Sequence, residues 1–188
     1  MKKYLILVKH SLPAVEIEYP ANQWKLSEEG RSRVHRLAEK LRRFEPEVLL
    51  SSSEPKAKET AEILAGLLQL EIQVAEDLHE HDRTNTPLLS PEAFQESIRE
   101  FFAKPDQLVF GKETADQAHA RFESAVEAAL SDHMRKTIMI VSHGTVISLF
   151  ISRRTGISNW LLWNELGLPS FVVIDLGSNT IIALETHV

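Results

Sequence analysis

Apolar and polar positions follow two alternating patterns along the 188 residues. Tyr4-Leu5-Ile6-Leu7-Val8 is an unbroken apolar run of strand length, as expected for a strand buried on both faces. Ser27 then stands at a helix start with Gly30 in the first turn. Val34, Leu37, Ala38, Leu41 and Phe44 recur at helical spacing until Pro46 ends the segment. Val48-Leu49-Leu50 forms a second strand that runs into Ser51-Ser52-Ser53. Ala57, Ala61, Leu64 and Leu68 mark one face of a second helix. Residues 71–75 read as a short strand and 76–90 as an irregular polar stretch. Helices follow near 91–104 and 113–132, the second with Ala118, Phe122, Ala125, Val126 and Ala129 on one face. Thr137 to Ser142 is another strong strand, entering a helix after Gly144. Phe171 to Asp175, a turn at Gly177-Ser178-Asn179, and Thr180 to Leu184 form a β-hairpin.

Strands alternating with helices predict an α/β fold of three layers, α/β/α. The central sheet is expected to be mostly parallel, with the hairpin supplying an antiparallel edge strand. The length fits one domain spanning 1–188, with 76–112 as an insertion that overhangs the ligand site. Sheets of this kind hold their ligands at the carboxyl ends of the strands.

Composition removes several alternatives. With no cysteine, neither a disulfide framework nor a thiolate nucleophile exists. Twenty-seven acids against 21 bases argue against a nucleic-acid footprint. The apolar runs are too short to span a bilayer, so no membrane partner is expected. The run after Met1-Lys2-Lys3 stops at Lys9 with no cleavage site behind it, so a secretory leader is rejected and a cytoplasmic location expected.

The strand-end rule gathers chemistry. Lys9-His10-Ser11 ends the first strand, and Ser142-His143-Gly144 ends the strand near the C-terminal third. Lys56 lies in the opening turn of the second helix, and the loop after the short strand carries His79-Glu80-His81-Asp82-Arg83. Two ammonium groups suit a phosphate dianion, and a helix beginning just after Gly144 adds its N-terminal amides. A neutral imidazole is the best nucleophile present, and a nearby carboxyl is suited to proton transfer. The His79-Glu80-His81-Asp82 cluster lacks the His-Glu-x-x-His spacing of a helical zinc site, so no metal is expected. Trp160 and Trp163, three residues apart, read as packing.

These residues resemble the histidine phosphatase superfamily, also called phosphoglycerate mutase-like. Leu7-Val8-Lys9-His10 is similar to its Leu-Val-Arg-His-Gly signature, and Leu26-Ser27-Glu28-Glu29-Gly30 to its Leu-Thr-x-x-Gly helix start. Ser51-Ser52, Lys56-Ala57 and Thr60-Ala61 resemble its Ser-Ser…Arg-Ala-x-x-Thr-Ala stretch. Leu78-His79-Glu80 resembles its Leu-x-Glu, and Val141-Ser142-His143-Gly144 its second-histidine motif. The resemblance implies that His10 is the nucleophile that becomes phosphohistidine and that Glu80 is the proton donor. It implies that His143 binds the phosphoryl oxygens, with Lys9, Lys56 and Ser11 also at the phosphate, and that no metal or organic cofactor is required. Arg83 is a further candidate for substrate contact.

The departures from the family pattern carry meaning. Lysine replaces both family arginines and Ser11 replaces a glycine; lysine keeps the charge but loses the planar fork, so weaker phosphate affinity is expected. Glu16 stands where mutases of the family carry asparagine, and the segment from Glu80 to His143 is compact. The expected activity is therefore a phosphomonoesterase acting on a small phosphorylated metabolite. A phosphoglycerate mutase, or a weakly active member that binds phosphorylated ligands or partner proteins, is the alternative. Neither the substrate nor the oligomeric state is legible.

Overall fold

The computed structural model describes residues 3–188. Its strands are β1 (Tyr4–Lys9), β2 (Val48–Ser52), β3 (Ile72–Ala75), β4 (Ile138–Ser142), β5 (Ser170–Asp175) and β6 (Thr180–Glu185). They form one sheet in the order β3-β2-β4-β1-β5-β6. β1, β2, β3 and β4 run parallel, while β5 runs antiparallel to β1 and β6 antiparallel to β5. The expected hairpin is thus the antiparallel edge. The helices are α1 (Glu28–Leu41), α2 (Pro55–Leu68), α3 (Pro91–Ala103), α4 (Ala115–Asp132), α5 (Gly144–Thr155) and α6 (Asn159–Glu165).

The unbroken apolar runs are explained by burial on two faces, because alternate strand residues point to opposite sides. Leu5 and Leu7 of β1, with Ile138 and Ile140 of β4, join Phe101, Phe122 and Phe150 in one core. Ile6 and Val8, with Met139 and Val141, join Val34, Leu37, Leu41 and Leu64 of α1 and α2 in the other. No helix among the described residues is long and apolar enough to cross a membrane.

Two features were not legible as periodicity. The α6 segment spans about two turns, too short for a repeating face to show. Its Trp160 and Trp163 rings stack at 5.9 Å, and Phe94 of α3 meets Trp163 edge-on at 5.9 Å, so the pair packs as expected. The α1 helix ends at Leu41, with Arg42–Phe44 continuing as a 3-10 turn before Glu45 adopts a left-handed backbone (φ 51°).

The topology places the site. The α1 connection leaves β1 on one face of the sheet, and α5 leaves the neighbouring β4 on the other. Adjacent parallel strands whose connections diverge in this way open a crevice at their carboxyl ends.

Gly30 ties this crevice to α1. Ser27 caps the helix by accepting from the Gly30 N–H at 2.9 Å, and the Gly30 carbonyl accepts from Ser11 Oγ at 2.7 Å. A methyl group at Gly30 would lie 2.1 Å from the Leu12 carbonyl oxygen, which is backbone and cannot swing aside. Gly30→Ala is expected to cost about 1–3 kcal/mol of stability, measured by chemical denaturation against wild type. An unchanged midpoint would show that the exit loop of β1 moves freely.

Candidate active site

The parallel register of β1 and β4 ends with Lys9 opposite Ser142. One step further, the His10 N–H donates to the Ser142 carbonyl at 3.0 Å. The two histidines that follow their strands are therefore neighbours, with ring centroids 5.1 Å apart and planes inclined at 63°. His143 is fully buried and His10 is 7% exposed.

Each ring has one nitrogen committed. His10 Nδ1 lies 2.8 Å from the Ser11 carbonyl oxygen. A carbonyl only accepts, so that nitrogen carries the proton and Nε2 keeps its lone pair. His143 Nε2 lies 2.8 Å from Ser52 Oγ, while its Nδ1 is shut from solvent without a hydrogen-bond partner. Burial holds the pKa of His10 well below the ordinary value, reinforced by His143, Lys56 and Lys9. Burial does the same for His143, with Lys56 next in effect and Glu80 opposing. Both rings are neutral at physiological pH.

Two ammonium groups flank the histidines. Lys56 is 5% exposed; its Nζ donates to the Ala21 carbonyl at 2.7 Å and pairs with Glu54 Oε2 at 2.5 Å. Lys9 Nζ donates to the Leu166 carbonyl at 2.6 Å, at the end of α6. Burial lowers the Lys9 pKa to about 8, against the raising influence of Glu80. A methyl group at Gly144 would stand 3.1 Å from the Lys9 Cε, so the glycine leaves room for the lysine stem.

Glu80 enters from the loop after a 3-10 turn at Glu76–Leu78. Its Oε1 accepts the His81 N–H at 2.9 Å and its Oε2 the Thr145 N–H at 3.2 Å, in the first turn of α5. Burial pushes its pKa up, but Arg83, His143 and the His81 N–H together outweigh burial and hold it below the usual range. The loop is clamped from α4 by Arg121, which donates to the carbonyls of Asp77 (2.7 Å), His79 (3.0 Å) and Glu80 (3.3 Å) and pairs with Glu113 at 2.7 Å.

The remaining candidates fall in different places. Ser11, expected at the phosphate, is fully buried and donates its hydroxyl to Gly30, while its N–H donates to Thr60 Oγ1 at 3.0 Å. It stitches the β1 exit to α1 and α2 and has no hydroxyl proton left for a ligand. Arg83 lies over the Phe94 ring at 4.9 Å, with its Nη1 shielded and unpartnered, and its charge reaches Glu80 and His143. The histidine-rich cluster disperses: His81 packs against Phe101 and Phe110 at 4.2 and 4.7 Å, and Asp82 bonds Thr84.

Three site residues escaped the sequence reading. Glu54 is buried between Lys56 and Glu80, whose N–H donates to Glu54 Oε1 at 2.8 Å. Ser52 was visible only as one of three serines. Arg121 sits within an ordinary amphipathic helix, where nothing in the spacing distinguishes it from a solvated arginine.

Paired histidines thus stand at the carboxyl ends of a parallel sheet, ringed by cations and buried carboxylates, a set of groups chemically suited to a phosphoryl group. The chain belongs to the histidine phosphatase superfamily (branch 1), whose sequence profile matches residues 5–185. Solved structures agree in fold. A mutant phosphoserine phosphatase of Entamoeba histolytica, in complex with phosphoserine, matches with a TM-score of 0.79 and 15% identity, over 98% of this chain and 97% of that one. A mycobacterial glucosyl-3-phosphoglycerate phosphatase matches with a TM-score of 0.72 and 19% identity, over 92% and 90%. YhfR of Bacillus stearothermophilus matches with a TM-score of 0.75 and 23% identity, over 99% and 98%. No curated protein sequence matches the chain significantly.

Two outcomes follow from this geometry. Sulfate stays a dianion, so its competitive inhibition is expected to weaken as pH rises through about 8, where Lys9 loses its proton. Lys9→Arg is expected to abolish that limb, because guanidinium stays charged; a limb that persists belongs to another group. Arg121→Ala is expected to lower kcat by about ten- to a hundredfold by loosening Glu80. Sulfate inhibition should stay near wild type, and equal loss in both would mark Arg121 as a general fold support.

Proposed function

We propose that this chain is a metal-independent phosphomonoesterase that hydrolyses a small phosphorylated metabolite through a phosphohistidine at His10. The observation that carries the reading is the His10 ring itself. Its Nδ1 proton is held by the Ser11 carbonyl, leaving an unprotonated Nε2 beside a second neutral histidine. Such an imidazole attacks phosphorus without first losing a proton, splitting one displacement into two.

The surroundings supply the rest. Ser52 Oγ accepts the Glu54 N–H at 3.2 Å, leaving its own proton to donate to His143 Nε2. In that tautomer His143 Nδ1 bears a proton with no partner, suited to a phosphoryl oxygen. Lys9, Lys56 and the N-terminal turn of α5 offset the charge that gathers on the transferring group. Glu80, held ionised, suits the second step, in which a base takes a proton from the water that cleaves phosphohistidine. Its expected role as proton donor in the first step requires the protonated form, which its surroundings disfavour.

Substrate selection falls to residues 76–112, where Glu80 and Arg83 lie. The unpartnered Arg83 N–H suits an anionic group on the substrate beyond the reacting phosphate. That arrangement agrees in kind with phosphoserine, the ligand of one structural relative.

The decisive experiment incubates the protein with an aryl phosphate in the presence of a chelator and measures acid-labile phosphate on the chain. Wild type is expected to label and release inorganic phosphate, and His10→Ala to do neither. Absence of label and turnover across a broad panel of phosphate esters would leave a phosphate-binding protein. Rapid phosphoglycerate interconversion with little free phosphate would make it a mutase.

A further inference from the structure

Glu54 and Lys56 form a buried ion pair at the edge of the site. Glu54 is the residue before Pro55, which occupies the first turn of α2, and its side chain makes no capping bond to that helix. Instead it turns into the site. Its Oε2 takes one of the three Lys56 protons, the Ala21 carbonyl takes a second, and one is left for a ligand. Its Oε1 accepts the Glu80 N–H and stands 3.7 Å from His143 Nε2. A phosphate that takes the remaining Lys56 proton therefore arrives beside a carboxylate that is already there.

We infer that Glu54 is a specificity-determining residue that makes the site select the singly protonated phosphate monoester over the dianion. The inference rests on the phosphatase reading for its biological meaning but stands on two independent arguments. One is hydrogen-bond chemistry. Ionised Glu54 and Glu80 only accept, as do all the oxygens of a phosphate dianion, so the two sets repel. A monoanion offers one P–O–H donor, which a carboxylate can take.

The other argument is charge. Lys56 reaches Glu54 from α2, Lys9 and His10 come from the end of β1, and His143 from the β4–α5 junction. Glu80, Arg83 and the more distant His79 come from the loop after the 3-10 turn. With the site histidines neutral, three cations (Lys9, Lys56, Arg83) face two anions (Glu54, Glu80). The surplus of one positive charge matches a monoanion and leaves a dianion uncompensated in a buried setting.

The same proton completes the chemistry left open by an ionised Glu80. His10 Nε2 bonds to phosphorus, the bond from phosphorus to the ester oxygen breaks, and the P–O–H proton passes to that departing oxygen, giving the neutral alcohol. The single negative charge of the reactants is retained, as a phosphoryl dianion on a positively charged imidazole ring.

Phosphate and sulfate binding, measured by calorimetry, test this without requiring turnover. Phosphate changes from monoanion to dianion over the range from about pH 5.5 to about pH 8.5, whereas sulfate does not. In wild type the ratio of phosphate to sulfate affinity is expected to fall about tenfold per pH unit above the second ionisation of phosphate. Keeping the comparison below about pH 8 leaves Lys9 charged for both ions. Glu54→Gln is expected to raise sulfate affinity about tenfold and to flatten the pH dependence of the ratio. A flat ratio in wild type overturns the inference even if the variant cannot be folded. Unchanged or weaker sulfate binding in a folded Glu54→Gln also overturns it, and makes Glu54 a support that holds Lys56 in place. A labelled His10 with a flat ratio overturns the inference and keeps the phosphatase; a falling ratio without label does the reverse.

Discussion

The structure depends on the pairing of β1 with β4. These strands are neighbours in space although most of the chain separates them in sequence, and their register ends with Lys9 opposite Ser142. Because the backbone bond from His10 to Ser142 extends that ladder, both histidines are delivered by the most buried and regular part of the molecule. A one-residue slip would reverse every core-facing side chain on β1. The hydrophobic energy that fixes the fold therefore also fixes the distance between the two rings.

Burial then determines the ionisation of the site. Histidines placed where water is excluded lose their protons, which leaves the His10 ring neutral, as the proposed nucleophile must be. The same exclusion of water would make bare cations and carboxylates costly, and three of them have found close partners. Lys56 leans on Glu54, Lys9 on the Leu166 carbonyl, and Glu80 on two backbone amides. The site is nearly self-neutral before any ligand arrives, so ligand charge must fit a small residual.

The parts legible in the sequence were those expressed as periodicity or strand-end placement. Two-faced strands wrote themselves as unbroken apolar runs, and the rule that ligands meet strand ends singled out His10, His143 and Lys9. The illegible parts depend on contacts between distant segments. Glu54 before Pro55 has the look of an ordinary acid at a helix start, and only the fold brings it to His143 and Glu80. Ser11 looked like a phosphate ligand by position, yet a one-carbon side chain is easily captured by the nearest carbonyl, here Gly30. For Glu80 the place was readable and the ionisation was not, because Arg83, His143 and the His81 amide reach it only in the folded chain.

The grip of Arg121 on three carbonyls of one loop has a consequence for how the protein changes over generations. Backbone oxygens are the same whatever side chain hangs beside them, so this clasp is indifferent to the residues at Asp77, His79 and their neighbours. Side chains of the loop can therefore be exchanged without loosening the clasp, while the carboxylate of Glu80 keeps its station. Novelty and constancy are separated within a few residues, and the dividing line is drawn by one guanidinium.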